Sequence, residues 1–142
     1  MTFLLDVNVL IALIDPMHVH HDVADKWFSN TGKRSWASCP LTENAVLRIV
    51  SQSRYPNSPG TPAAVAEVLR DLLDSPGHVF WPDDISLFEA EIIDMAKLLS
   101  SRQVTDSYLL ALACEHNGQF ATFDRRVITD AVRGGKKGIY LI

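Results

Sequence analysis

The chain has 142 residues, 47% of them hydrophobic and 21% charged, so one domain spanning 1–142 with a substantial core is expected. No internal repeat or low-complexity tract stands out, which excludes a repeat array and a long disordered tail. The formal net charge of −4 excludes a generic polyanion binder but tolerates a local basic rim. Lys33-Arg34, Arg125-Arg126 and the run from Arg133 to Lys137 are candidates for that rim, each equally readable as solvated surface.

Phe3-Leu4-Leu5 reads as a short buried strand ended by Asp6, and residues 8 to 14 as a brief helix stopped by Asp15-Pro16. This opening stretch lacks a basic n-region, is interrupted by Asp6 and is too short to span a bilayer. A cytoplasmic protein without membrane association is the expectation. From His18 to Phe28, apolar residues recur at helical spacing. Ser35 to Ser38 forms a second strand, and Leu41 to Val50 a helix with Ala45, Val46, Ile49 and Val50 on one face.

The Pro-rich stretch from Ser53 to Pro62 is a loop, and its Tyr55 is read as an exposed loop aromatic, with base stacking as the lesser alternative. Thr61 and Pro62 open a helix that buries Val65, Val68, Leu69, Leu72 and Leu73 and stops at Ser75-Pro76-Gly77. His78 to Trp81 is a third strand. Ser86 and Glu89 match a capping box, predicting an amphipathic helix to about Leu99. Asp83 and Asp84 before it are read as turn residues. Thr105-Asp106 opens a further helix that ends at Asn117-Gly118. Gln119 to Phe123 is the fourth strand, followed by a short helix from Asp124, and Ile139 to Ile142 is the fifth.

Strands alternating with helices predict a parallel sheet covered on both faces, with the working site beyond the carboxyl ends of the strands. Asp6 is the only charge among the first fourteen residues and is flanked by apolar sequence. A buried lone carboxylate is costly unless hydrogen bonds or a cation compensate it. Helix capping is the competing role. Asp124 repeats the pattern after the fourth strand. Asp106 and Glu43 fall near helix starts, where the helix dipole alone accounts for an acid. All four belong on one edge of the sheet, where their mutual repulsion would be relieved by Mg²⁺ or Mn²⁺.

Four segments then carry a resemblance: Leu5-Asp-Val-Asn-Val-Leu10, Pro40-Leu-Thr-Glu43, Val104-Thr-Asp106 with the helix to Ala113, and Ala121-Thr-Phe-Asp124-Arg125. In order and spacing they resemble the motifs of PIN-domain nucleases, most closely the VapC-type toxins of bacterial toxin–antitoxin pairs. The resemblance implies a three-layer α/β/α sandwich with a five-stranded parallel sheet in the order 3-2-1-4-5. It implies a metal-dependent endoribonuclease using one or two Mg²⁺ or Mn²⁺ ions, without a covalent enzyme intermediate. Asp6, Glu43, Asp106 and Asp124 would be the metal-holding catalytic acids, and Asn8 and Thr122 their polar supports. A homodimer and a cognate antitoxin as partner are likewise implied.

Competing readings differ in their acids. A haloacid-dehalogenase-type phosphatase needs an acid two positions after Asp6, where this chain has Asn8. A receiver-like domain needs its acidic pair after the first strand, and here the pair follows the third. A housekeeping RNA-processing nuclease of the same fold and a non-catalytic RNA- or antitoxin-binding scaffold stay as alternatives. His18, His20 and His21 are assigned to the surface or to helix packing, with a second metal site or a part in positioning RNA as minor alternatives; Trp27, Trp36 and Trp81 are assigned to the core, and Cys39 and Cys114 to free thiols.

Overall fold

The computed structural model describes residues Met1 to Ile142. Its elements in chain order are β1 (Phe3–Leu5), α1 (Val7–Ile14), α2 (His21–Asn30), β2 (Trp36–Ser38), α3 (Pro40–Val50) and α4 (Pro62–Leu73). There follow β3 (His78–Phe80), α5 (Gln103–Glu115), β4 (Gln119–Thr122), α6 (Gly135–Gly138) and β5 (Ile139–Leu141). The five strands form one parallel sheet in the order β3-β2-β1-β4-β5, as the resemblance implies. No helix is long and apolar enough to cross a membrane.

Strand alternation sorts the core into two layers. Phe3, Leu5, Trp36 and Ala121 face one side, where α1, α3 and α4 contribute Val9, Leu10, Val46, Val65 and Leu69. Leu4, Ala37 and Phe120 face the other, against Leu109, Leu110, Leu112 and Ala113 of α5. Trp36 is fully buried and Trp81 nearly so, while Trp27 packs edge-on against Phe3 at 5.3 Å. The cysteines are free thiols, Cys39 buried and Cys114 partly so.

Several boundaries follow sequence chemistry closely. Thr61 accepts the Ala64 amide at 3.2 Å as an N-cap, with Pro62 in the first turn of α4. At the end of α5 it is Asn117, not Gly118, that takes the left-handed conformation, with φ 56°. Gly118 is required for space instead: a Cβ there would sit 2.4 Å from the Thr2 carbonyl oxygen.

Gly77 is tighter still. It leads into β3, and its carbonyl accepts the Trp36 amide at 3.0 Å. A Cβ at this position would lie 1.9 Å from the Lys33 carbonyl oxygen, so the two backbone segments can approach only without a side chain. Gly77→Ala is expected to lower stability by about 2 kcal/mol, measured as the midpoint of urea denaturation. An unchanged midpoint would mean that the 33–35 segment moves aside freely.

The structure departs from expectation in the connections. No α-helix covers 86–99. The Ser86 amide does donate to Glu89 Oε1 at 2.8 Å, and a single turn follows, with the Ile93 amide on the Glu89 carbonyl. The Asp94 amide then turns to the Ala131 carbonyl at 2.8 Å and the Arg133 amide to Ile92 at 3.0 Å, with Ile93 bridging Val132. This pairing buries Ile92, Ile93 and Val132 against α5, and that tertiary gain outweighs the local helix signal, leaving only a 3₁₀ turn at Met95–Lys97.

The helix expected from Asp124 is absent too. Asp124 Oδ1 accepts the Arg126 amide at 2.8 Å, a turn in place of a helical start. Helix α2 begins at His21 rather than His18, because the Asp15 carbonyl and carboxylate take the His18 and Met17 amides into a turn. Tyr55 is not a free loop aromatic. Its hydroxyl donates to Asp15 Oδ2 at 2.5 Å, and it packs against the core.

Candidate active site

In a parallel sheet every strand's carboxyl end and every returning helix's first turn share one edge. Asp6 follows β1, Glu43 follows β2, and Asp124 lies two residues past β4. Asp106 lies in the first turn of α5, which descends from the same edge into β4. Pairing of β1 with β4 places Leu5 opposite Ala121, so Asp6 and Thr122 become neighbours across 116 residues of sequence.

Asp6 is 8% exposed, and its backbone starts α1 without its side chain capping that helix. The carboxylate turns to β4 instead, where Thr122 Oγ1 donates to Asp6 Oδ2 at 2.6 Å. The same hydroxyl accepts the Asp124 amide at 3.1 Å. Thr122 is fully buried and thus ties both acids to one atom. Burial pushes the Asp6 carboxyl above its ordinary range; the Thr122 hydroxyl and the Val7 amide oppose this, and Asp124 adds to it.

Asp106 is pushed up to about 6, first by burial and then by the charges of Asp6 and Asp124. Asp124 goes the other way. The Arg126 amide, its Nε–H at 3.3 Å and the guanidinium charge hold the carboxyl below the usual range. Three aspartates therefore share one electrostatic field, with the ionised form of Asp124 favoured and that of Asp106 resisted.

Glu43 stands apart from this trio. Ser38 Oγ donates to Glu43 Oε2 at 2.5 Å and lies 2.8 Å from His78 Nε2, which makes His78 the donor to that hydroxyl. Burial holds the His78 imidazole below its ordinary value, and the ring packs on Trp36 at 4.5 Å. No three acids or histidines of the chain are gathered at ligating distance in this side-chain arrangement. Asn8 is exposed on α1 and lines the cleft beside Asp124.

The donor set nevertheless suits a hard divalent cation: carboxylate oxygens, a buried acid, and carboxyls raised first by burial and then by neighbouring charge. Two depressions flank the acids. One of about 580 Å³ runs from Asn8 past His20 and Phe123 to Arg125, and one of about 250 Å³ lies between Gln103, Asp106 and Ile128. Asp124 and Arg126 line both and form the divide.

Of the three basic runs, only Arg125-Arg126 lies on this edge. Lys33-Arg34 precedes β2, and Lys136-Lys137 precede β5, which places both runs toward the opposite edge. Sequence reasoning did not single out Ser38 and His78. They come from segments 40 residues apart and meet only through the β2–β3 register, so no local pattern links them.

The fold and acid edge define a class, and comparisons place the chain within it. The family model described as "PIN domain" matches residues 3–132. Ribonuclease VapC44 of Mycobacterium tuberculosis is 44% identical over 137 residues, covering 96% of each chain. Ribonuclease VapC39 of the same organism is 41% identical over 134 residues, covering 94% of this chain and 96% of that one. The chain belongs to the PIN-domain family, in its VapC ribonuclease branch.

Solved structures agree on the fold. The crystal structure of M. tuberculosis VapC20, described as a sarcin-ricin loop cleaving toxin, superposes with TM-score 0.64 at 11% identity, covering 87% of this chain and 91% of that one. VapBC2 from Rickettsia felis, bound to a DNA fragment from its promoter, gives TM-score 0.59 at 11% identity, covering 89% and 90%.

Proposed function

We propose that this chain is the toxin of a toxin–antitoxin pair, a Mg²⁺- or Mn²⁺-dependent endoribonuclease that hydrolyses RNA phosphodiesters at the edge formed by Asp6, Glu43, Asp106 and Asp124. The observation that carries the reading is the Asp6–Thr122–Asp124 arrangement, a buried carboxylate and a second acid joined through one hydroxyl beside Asp106. Relatives bearing the name ribonuclease VapC across nearly the whole chain support RNA as substrate. The antitoxin partner is supported by likeness to a VapBC complex. A homodimer and a cytoplasmic location belong to the same reading.

Asp6, Asp106 and Asp124 would hold the ion, with Glu43 entering from the β2 side. A divalent ion bound there supplies charge to a phosphodiester and acidity to water. Thr122 fixes the Asp6 carboxylate and leaves Oδ1 free of side-chain donors. Arg126 keeps Asp124 ionised and offers its remaining guanidinium N–H groups to phosphate. Ser38, backed by His78, orients Glu43.

Purified protein is expected to cleave single-stranded RNA with Mg²⁺ or Mn²⁺ and to stop when EDTA is added, read on a denaturing gel. Cleavage that continues undiminished in EDTA would refute the metal-dependent mechanism. No cleavage with either ion would refute the nuclease.

A further inference from the structure

The larger depression beside the acids has walls that the hydrolytic chemistry does not use. His20 and Phe123 face each other there with ring centroids 4.9 Å apart and planes 31° from parallel. Phe123 is half-buried, with its inner side packed on the core, and His20 is exposed, so the pair runs from the core out to solvent. Its volume of about 580 Å³ falls in the range of roughly 300–1,000 Å³ that takes small ligands.

The pair is held in place by a set of local bonds. His18 Nδ1 accepts the His20 amide at 3.0 Å, which leaves the neutral ring's proton on Nε2. His21 Nδ1 meets the Ala12 carbonyl at 2.7 Å and pins the start of α2 to α1. Asp15 takes the Met17 amide at 2.9 Å and the Tyr55 hydroxyl, closing the turn that carries both rim histidines. Phe123 is placed by β4 and sits between Thr122 and Asp124. Arg125, exposed on the same wall, makes no ion pair.

We propose that His20 and Phe123 form a stacking platform for one unpaired base of a single-stranded RNA, the base flanking the phosphate held at the acid edge, with Arg125 on the adjoining backbone phosphate. The proposal rests on the RNA-cleaving reading above and adds where the substrate is gripped. Aromatic and imidazole faces accept any base, so the platform supplies affinity and register rather than sequence choice. It also selects unpaired RNA, because bases inside an A-form helix cannot be splayed onto a ring.

The test uses short single-stranded RNAs carrying 2-aminopurine at successive positions, bound to the non-cleaving Asp6→Asn protein. Stacking is expected to quench the fluorescence at one position. Adding His20→Ala should abolish that quench and weaken binding about tenfold or more, while His20→Tyr restores both. A cleavage assay in the Asp6 background sequence then separates the two claims. If His20→Ala cleaves RNA with an unchanged KM, or the quench survives the substitution, the platform is wrong and the nuclease stands. If the unmodified chain neither binds nor cleaves RNA, both fall. Circular dichroism melting of the His20→Ala protein within a degree or so of the parent excludes a folding explanation.

Discussion

Asp6→Asn is expected to lower metal-dependent RNA cleavage by on the order of a thousandfold, equivalent to about 4 kcal/mol of barrier. Asn preserves the shape of the side chain, and its carbonyl oxygen can still accept the Thr122 hydroxyl. What disappears is the charge that burial and then neighbouring Asp124 resist and that a cation would favour. Without metal, the substitution removes a desolvation cost, so the melting temperature at neutral pH should hold or rise. The two readouts together discriminate. Activity within tenfold of the parent would remove Asp6 from the reaction, and a large fall in melting temperature would make it a structural residue.

The same electrostatics give a pH signature for the metal-free protein. Asp106 binds its proton more tightly in the folded state, with its carboxyl at about 6 against an ordinary 3.8. Asp6 is shifted in the same direction. For a carboxyl raised on folding, stability is greatest below the ordinary value and falls as pH rises toward the folded one. From about pH 4 to about 6, Asp106 therefore works against stability as pH increases, and Asp6 acts in the same direction. Asp124 has the opposite sign: its contribution is present above the ordinary value and is lost only at stronger acidity, as pH falls through its lowered one.

A divalent ion should reverse the first effect, because it binds only the ionised acids. Ion at a hundredfold excess over its Kd stabilises the native state by about 2.7 kcal/mol. The rise in melting temperature on adding Mn²⁺ is therefore expected to be several degrees at neutral pH and much smaller near pH 5. A shift of equal size at both pH values would mean that the ion binds elsewhere.

The layered architecture was legible because its signals were local. Phe3-Leu4-Leu5 before Asp6, Thr61-Pro62, and Asn117-Gly118 mark element ends by backbone chemistry that tertiary contacts did not override. The 86–99 segment carried an equally good signal, and its first hydrogen bond forms as expected. Its fate was decided by pairing with 131–133, which no pattern within the segment announces. At the site, Asp6 could be singled out by the cost of burying its charge; it is 8% exposed and takes the Thr122 hydroxyl. The position of Glu43 against Ser38 and His78 depends on strand register, and Arg126 as the partner of Asp124 depends on a turn where a helix was expected. The His20–Phe123 wall joins residues more than a hundred positions apart, and the histidine cluster, visible in its own segment, gives no sign of the Phe123 ring it meets.

The pairing of β1 with β4 has a consequence for how the chain comes into being. Synthesis proceeds from the N-terminus, so a further 116 residues must follow Asp6 before Thr122 can reach it. Until then the central strand has only β2 beside it, and the carboxylate lacks both its hydroxyl and its companion acid. A nascent chain that has not yet reached β4 therefore cannot join Asp6 to Asp124 through Thr122. The bond between Asp6 and Thr122 is thus among the contacts of highest sequence separation in the sheet, and the acid edge is completed only once β4 has docked beside β1.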